Sequence, residues 1–249
     1  MNENISDGEE NREEFISKDQ FFSIISHDLR NPISTIKTLT QFLFNDFENL
    51  PIKEVKEFIR LILVASNSSQ KLLENLLQWS LSRDGNLHLS FENIDIYDIL
   101  SNKIEFFIED ARRKGIAFNS TVEKGTYVFA DSKTVKIIIR NLVSNAVKFT
   151  SGGGNISVSS KDVNDYIEIT VSDTGTGIKE EDMKKLFAPD SLNKRHGTEG
   201  EYGTGLGLLL CKDLVEKNKG EIWAESEIGK GSDFKIILPK GSKSDDAVS

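Results

Sequence analysis

The chain is 249 residues long, 37% hydrophobic and 29% charged, with a formal net charge of −9. That length accommodates one or two domains with a sizeable core, and an acidic balance argues against a nucleic-acid partner, because phosphate backbones select basic faces. No run nears the roughly 20 apolar residues of a membrane span, so no membrane contact by this chain itself is expected, and the single cysteine, Cys211, excludes an internal disulfide and fits a reducing, cytoplasmic compartment.

Residues 1–14 are rich in Asn, Glu and Asp without an apolar period, which predicts a flexible lead-in or the end of an upstream signalling helix. Such a chain is also compatible with the cytoplasmic portion of a longer membrane receptor. Over residues 15–86 the spacing predicts a helical hairpin. Phe15, Phe22, Ile25, Leu29, Ile36, Leu39 and Leu43 follow a seven-residue repeat; Asn49-Leu50-Pro51 breaks it; Val55, Phe58, Ile62, Ala65, Leu72, Leu76 and Trp79 resume it. Ile24, Ile33, Ile59, Leu63, Leu73 and Leu77 widen each apolar face beyond what one partner helix covers. Two hairpins packed as a four-helix bundle would cover them, so a homodimer is expected; packing on the rest of the same chain is the alternative.

On the first helix, His27 falls nearly opposite Phe22 and Ile25 and is expected to face solvent. A neutral imidazole with a pKa of about 6.5 is a competent nucleophile near neutrality, and the adjacent Asp28 is placed to orient the ring and stabilise positive charge. An ordinary surface histidine is the alternative. Pro32, inside a continuing repeat, costs about 3 kcal/mol in a helix interior and marks a segment built to bend. His88 and His196 make no metal-ligand spacing with Cys211, which lies in the apolar run Leu208-Leu209-Leu210 and is expected to be buried and inert.

Arg83-Asp84-Gly85-Asn86 is a turn-rich break, after which strand and helix patterns alternate. Strands are expected over 87–94, 116–122, 127–130, 155–160, 166–172, 221–226 and 232–238, and helices over 96–114, 132–150, 179–186 and 206–219. The pattern predicts an α/β sandwich with a mixed sheet over 87–240, followed by a disordered tail at 241–249. The fold class is thus α+β multidomain, a helical hairpin followed by the sandwich.

Three segments of this second region carry chemistry. Asp131 is placed to cap a helix on which Asn141, Asn145 and Lys148 share one face and Ile138, Leu142 and Ala146 another. Asparagine carbonyls beside a lysine suit a hydrated magnesium ion and phosphate oxygens; a polar face turned to water is the alternative. Asp173-Thr174-Gly175-Thr176-Gly177 follows a strand, where a carboxylate can accept from the amino group of adenine and glycines allow close backbone approach. Gly203-Thr204-Gly205-Leu206-Gly207 opens the next helix, where free N–H groups favour phosphate. Its spacing fits neither a dinucleotide fold nor a P-loop. Between these turns, residues 187–202 have the length of a lid, and Lys194 and Arg195 would close over a triphosphate; a surface loop without a role is the alternative.

In this order, His27-Asp28-Leu29-Arg30-Asn31-Pro32, Asn141 to Phe149, Asp173 to Gly177 and Gly203 to Gly207 resemble the catalytic core of sensor histidine kinases of two-component systems. The resemblance covers about residues 15–240 and implies a dimerisation and histidine phosphoacceptor domain (15–86) and an ATP-binding catalytic domain (87–240). It implies that His27 is phosphorylated from Mg-ATP, that Asp28 assists, and that Asn31 serves a phosphatase reaction toward the partner, a response regulator receiver domain. By the same resemblance Asn145 holds Mg2+ and Lys148 reaches phosphate; Phe149 lies against adenine, Asp173 reads it, and Gly175, Gly177, Gly203, Gly205 and Gly207 shape the pocket. Gly229 to Phe234 and Leu238-Pro239 resemble the closing strand of the family. The usual second aromatic after Phe187 is replaced by Ala188-Pro189-Asp190, a departure that bears on lid closure. Related gyrase and chaperone ATPases carry a glutamate where Asn141 stands, which points this chain toward transfer and away from hydrolysis.

Overall fold

The computed structural model describes residues 18–83, 88–103, 105–188, 197–199 and 205–243. Contacts divide the chain into two compact units, the change falling between Ser69 and Gln70 inside the second long helix.

The hairpin consists of α1 (Lys18–Asp46) and α2 (Ile52–Arg83), joined by a 3₁₀ turn over Phe47–Asn49. The turn falls where Asn49-Leu50-Pro51 interrupts the repeat. Leu50 is extended, as a residue before proline prefers, and the Pro51 carbonyl accepts the N–H groups of Glu54 (2.9 Å) and Val55 (3.1 Å) to open α2. α1 runs through Pro32, which has no N–H to give the Asp28 carbonyl; one turn on, the Thr35 hydroxyl donates to the Asn31 carbonyl at 3.1 Å. Phe42 and Phe58 meet edge to face with centroids 5.5 Å apart. Among the apolar side chains described up to Ser69, Val55 and Ala65 are the buried ones, whereas Ile33, Ile59 and Leu63 are exposed.

The second unit is an α/β sandwich. Its five-stranded sheet has the order β2 (Ala117–Ser120), β4 (Asn155–Val163), β5 (Tyr166–Asp173), β7 (Gly231–Pro239), β6 (Glu221–Glu227). β2 and β4 are parallel and the other neighbours antiparallel, so the sheet is mixed. β1 (Phe91–Asp95) and β3 (Tyr127–Asp131) form a separate antiparallel ribbon. The core lies between the sheet and the helices α5 (Ser132–Phe149) and α7 (Leu206–Lys217), where Ile138, Leu142, Ile169, Leu210, Leu214, Ile236 and Leu238 are almost fully buried.

Some expected bounds differ. The expected helix over 96–114 is helical in its described parts, α3 (Ile96–Lys103) and α4 (Glu105–Arg113), with residue 104 outside the described residues. That over 179–186 is one turn, α6 (Glu180–Met183), because its acidic start is followed by too few apolar residues to anchor a second turn. The first strand starts at Phe91, residues 88–90 before it being irregular.

Candidate functional site

The site is organised around α5, and both ends of that helix are tied by buried side chains. At the N-terminus Asp131 accepts from the N–H of Thr134 at 2.8 Å and of Ser90 at 3.0 Å. Burial opposes ionisation there, but these N–H groups outweigh it and hold the carboxyl below the ordinary aspartate range. Asn218, fully buried at the end of α7, accepts from the Asp131 N–H at 2.8 Å and donates to the Thr134 hydroxyl (2.8 Å) and the Leu214 carbonyl (2.7 Å). One amide thus locks the start of α5 to the end of α7.

At the other end the last carbonyls of α5 must find acceptable donors outside the helix. The Thr150 N–H and hydroxyl bond the Ala146 carbonyl at 3.1 and 2.7 Å. The buried Lys114 ammonium donates to the carbonyls of Val147 (3.0 Å) and Lys148 (3.4 Å) and to the Thr198 hydroxyl (2.8 Å). The Thr198 N–H bonds the Lys148 carbonyl at 3.0 Å, and its hydroxyl lies 3.1 Å from the Thr150 carbonyl. The Thr176 N–H takes the Phe149 carbonyl at 3.1 Å.

Between those ends the two faces of α5 separate as expected. Ile138, Leu142 and Ala146 are buried in the core. Asn141 is also buried, its amide nitrogen donating to the Ile137 carbonyl at 3.0 Å, while Asn145 and Lys148 are half-buried. The polar face therefore does not simply point at water. A Cβ placed on Gly207 would stand 3.1 Å from the Asn141 side-chain oxygen, which sets the start of α7 beside the asparagine face. The Lys148 ammonium lies 4.6 Å from the centre of the Phe149 ring.

Asp173 owes its position to strand periodicity. Along β5 the buried residues are Ile167, Ile169, Val171 and Asp173, so the alternation that builds the core also turns this last carboxylate inward. Burial pushes its pKa up to about 6; the N–H groups of Gly175 and Ser232 pull the other way, and the charge of Asp233 adds to the rise. The Gly175 N–H reaches the carboxylate at 2.8 Å.

The turn after Asp173 is held from two sides, by the Thr176 N–H bond to the end of α5 and by the β6–β7 hairpin. There the Gly229 N–H bonds the Thr176 carbonyl at 3.0 Å and the Ile178 N–H bonds the Ser226 hydroxyl at 2.9 Å. Gly175 and Gly177 permit close approach to the chain itself, to the Phe149 and Glu227 carbonyls respectively, with no room for a Cβ. Gly205 precedes α7 in the left-handed region, at φ 69°. Cys211 is fully buried with its sulfur 3.8 Å from the Ile138 carbonyl, as an inert thiol should be.

The structure thus brings together Asn141, Asn145, Lys148, Phe149, Asp173, Gly175, Gly177, Gly205 and Gly207 in one unit. Lys194, Arg195 and Gly203 lie outside the described residues, as does the side chain of His27. Asp28, buried, and Asn31, exposed, stand on α1 in the other unit. Lys114, Thr198, Asn218 and Ser226 were not anticipated. For Lys114 the available signal was a lysine directly before Gly115, where a helix stops. Among the described residues no cluster of three or more His, Cys, Asp or Glu could hold a metal, and no helix is long and apolar enough to cross a membrane. Asparagine amides are the donors on offer, and they fit a magnesium ion that keeps most of its ligands from water and phosphate.

Two family models match stretches of the chain. Residues 17–85 match the His Kinase A (phospho-acceptor) domain, and residues 130–242 match the histidine kinase-, DNA gyrase B- and HSP90-like ATPase family. The autoinducer 2 sensor kinase/phosphatase LuxQ of Vibrio vulnificus is 34% identical over 88% of this chain and 26% of its own length. The cell-division control histidine kinase PdhS of Brucella suis is 29% identical over 89% of this chain and 22% of its own length. The chain spans about a quarter of the curated relatives it matches. The catalytic domain of histidine kinase ThkA is 29% identical with a TM-score of 0.52, covering 61% of this chain and 97% of that domain. The structure of ThkA in complex with the response regulator TrrA shares the fold, with a TM-score of 0.66 at 24% identity over 89% of this chain and 61% of that one.

Proposed function

This chain belongs to the sensor histidine kinases, carrying their phosphoacceptor and ATPase domains, and from that premise we propose that it phosphorylates its own His27 from ATP and passes the phosphoryl group to an aspartate of a response regulator receiver domain. The observation that carries the reading is the convergence on the C-terminal half of α5. Asn141 beside Gly207, Phe149 beside Gly175, and a buried Asp173 at the end of β5 bring three distant segments to one place.

In this reading Asp173 accepts from the adenine amino group, Phe149 lies against the ring, and Lys148 and the N–H groups opening α7 meet the phosphates. Asn145, with Asn141 beside it, would hold a magnesium ion, which neutralises phosphate charge as the γ-phosphorus is attacked. The His27 imidazole is the nucleophile, and Asp28 orients it and stabilises its positive charge. Asn31 positions water for the reverse, dephosphorylating reaction. Lys194 and Arg195 complete the phosphate contacts. The hairpin acts as a homodimer: its exposed Ile33, Ile59 and Leu63 are the surface that a second copy covers.

Incubation with γ-labelled ATP and magnesium should give acid-labile, base-stable label on the chain, and His27→Ala should abolish it. Label that persists in that variant refutes the assignment. Steady phosphate release that survives His27→Ala would instead make the chain a water-hydrolysing ATPase.

A further inference from the structure

We infer that Lys114 is a positioning residue for nucleotide binding, holding Thr198 and the last turn of α5 in one rigid arrangement; the inference rests on the proposed ATP site. The lysine is remote in sequence from both of its partners, Val147 and Thr198. It joins them with one buried ammonium whose three protons have acceptors at 2.8, 3.0 and 3.4 Å. A cation at the carbonyl end of a helix is favoured by the partial negative charge there.

Its own backbone is fixed from two directions. The Lys114 N–H bonds the Asp110 carbonyl at 3.2 Å, and the Gly115 carbonyl accepts from Gly153 at 2.9 Å. A Cβ on Gly152 would come within 2.8 Å of the Lys114 carbonyl, so the loop that follows α5 is seated directly on this turn. The ammonium is therefore presented from a prearranged base.

What the arrangement positions is the pair Lys148 and Phe149. Their two carbonyls are taken by Lys114, Thr198 and Thr176, which sets the backbone from which both side chains project. A helix end needs no buried lysine merely to stop, since Thr150 already caps it. The lysine adds a link between that end and Thr198, which lies within the Phe187–Tyr202 stretch. Removing the ammonium takes its donor from the Val147 carbonyl, and a buried polar group left so carries a desolvation penalty.

The test measures ADP affinity by calorimetry on the full chain, with thermal midpoints in the absence of nucleotide as the control for folding. Lys114→Met should weaken ADP binding about tenfold or more, Thr198→Val a few-fold, and Lys114→Arg should recover part of the loss. Because the two residues act through one link, the double variant should bind no worse than Lys114→Met alone. A folded Lys114→Met with unchanged affinity, or losses that simply multiply, overturns the inference while leaving the ATP site intact. Should Lys114→Met not fold, Thr198→Val decides: weakened affinity sustains the inference and unchanged affinity overturns it. A wild-type chain that binds no ADP removes the ATP-site reading, and the inference with it.

Discussion

The two units treat their apolar residues differently. Along α5, Val135, Ile138, Ile139, Leu142, Val143, Ala146 and Val147 are all buried, whereas along α1 and α2 up to Ser69 the described apolar residues that reach burial are Val55 and Ala65. The sandwich closes its core within one chain, because a sheet face and two helix faces can cover one another. A two-helix hairpin cannot do this, since each helix has one neighbour and an apolar face wider than that neighbour. The difference separates a unit with a closed core from one whose described apolar residues stay largely exposed, and it divides the candidate chemistry too. The candidate nucleotide groups sit on the closed unit, the proposed acceptor His27 on the open one.

The sharpest way to break that contrast is to open the closed core. Leu142→Ala removes a fully buried side chain between α5 and the sheet and should cost about 2–5 kcal/mol in chemical denaturation. A loss under about 1 kcal/mol would mean that the sandwich core is not the tight one described.

A second change should stabilise the same unit. With its pKa raised to about 6, folded Asp173 keeps its proton at pH values where the unfolded carboxyl, with its ordinary value of 3.8, has lost it. The folded state therefore binds more protons between those values, and stability falls as pH rises through that window. At pH 7 Asp173→Asn should be the more stable protein by up to about 3 kcal/mol, the difference vanishing near pH 4. Nucleotide affinity should be lost in the same variant. Equal stability curves at both pH values would show that the burial of Asp173 carries no such penalty.

The smallest expected effect on the sandwich comes from the open unit. Ile59→Lys and Leu63→Lys alter exposed positions and should leave sandwich stability within about 0.5 kcal/mol. Sedimentation should nonetheless show the proposed dimer falling to monomer. An unchanged dimer would place its interface on another face.

Much of the architecture was legible because it rests on periodicity. The seven-residue repeat and its break at Asn49-Leu50-Pro51 located α1 and α2, and the alternation Ile167, Ile169, Val171 located β5. The faces of α5 followed from 3.6-residue geometry, and Asp131 as its cap from a local side-chain preference. The separation of the β1–β3 ribbon from the main sheet was not legible, because it is not set by a local period. The turn glycines stand out by their spacing, and the packing adds a role that spacing does not show: Gly175 and Gly177 make room for the chain's own carbonyls.

By itself, then, the order of residues determined the elements, the faces they bury and the set of residue types that phosphate chemistry needs, since each follows from short-range spacing. Tertiary structure alone decided which polar groups meet across long separations. Lys114 bonded to the last turn of α5, Asn218 between two helices and the inward Asp173 with its raised pKa depend on how segments dozens of residues apart are packed. Burial and hydrogen-bond partners are properties of that packing, and no window along the chain contains them.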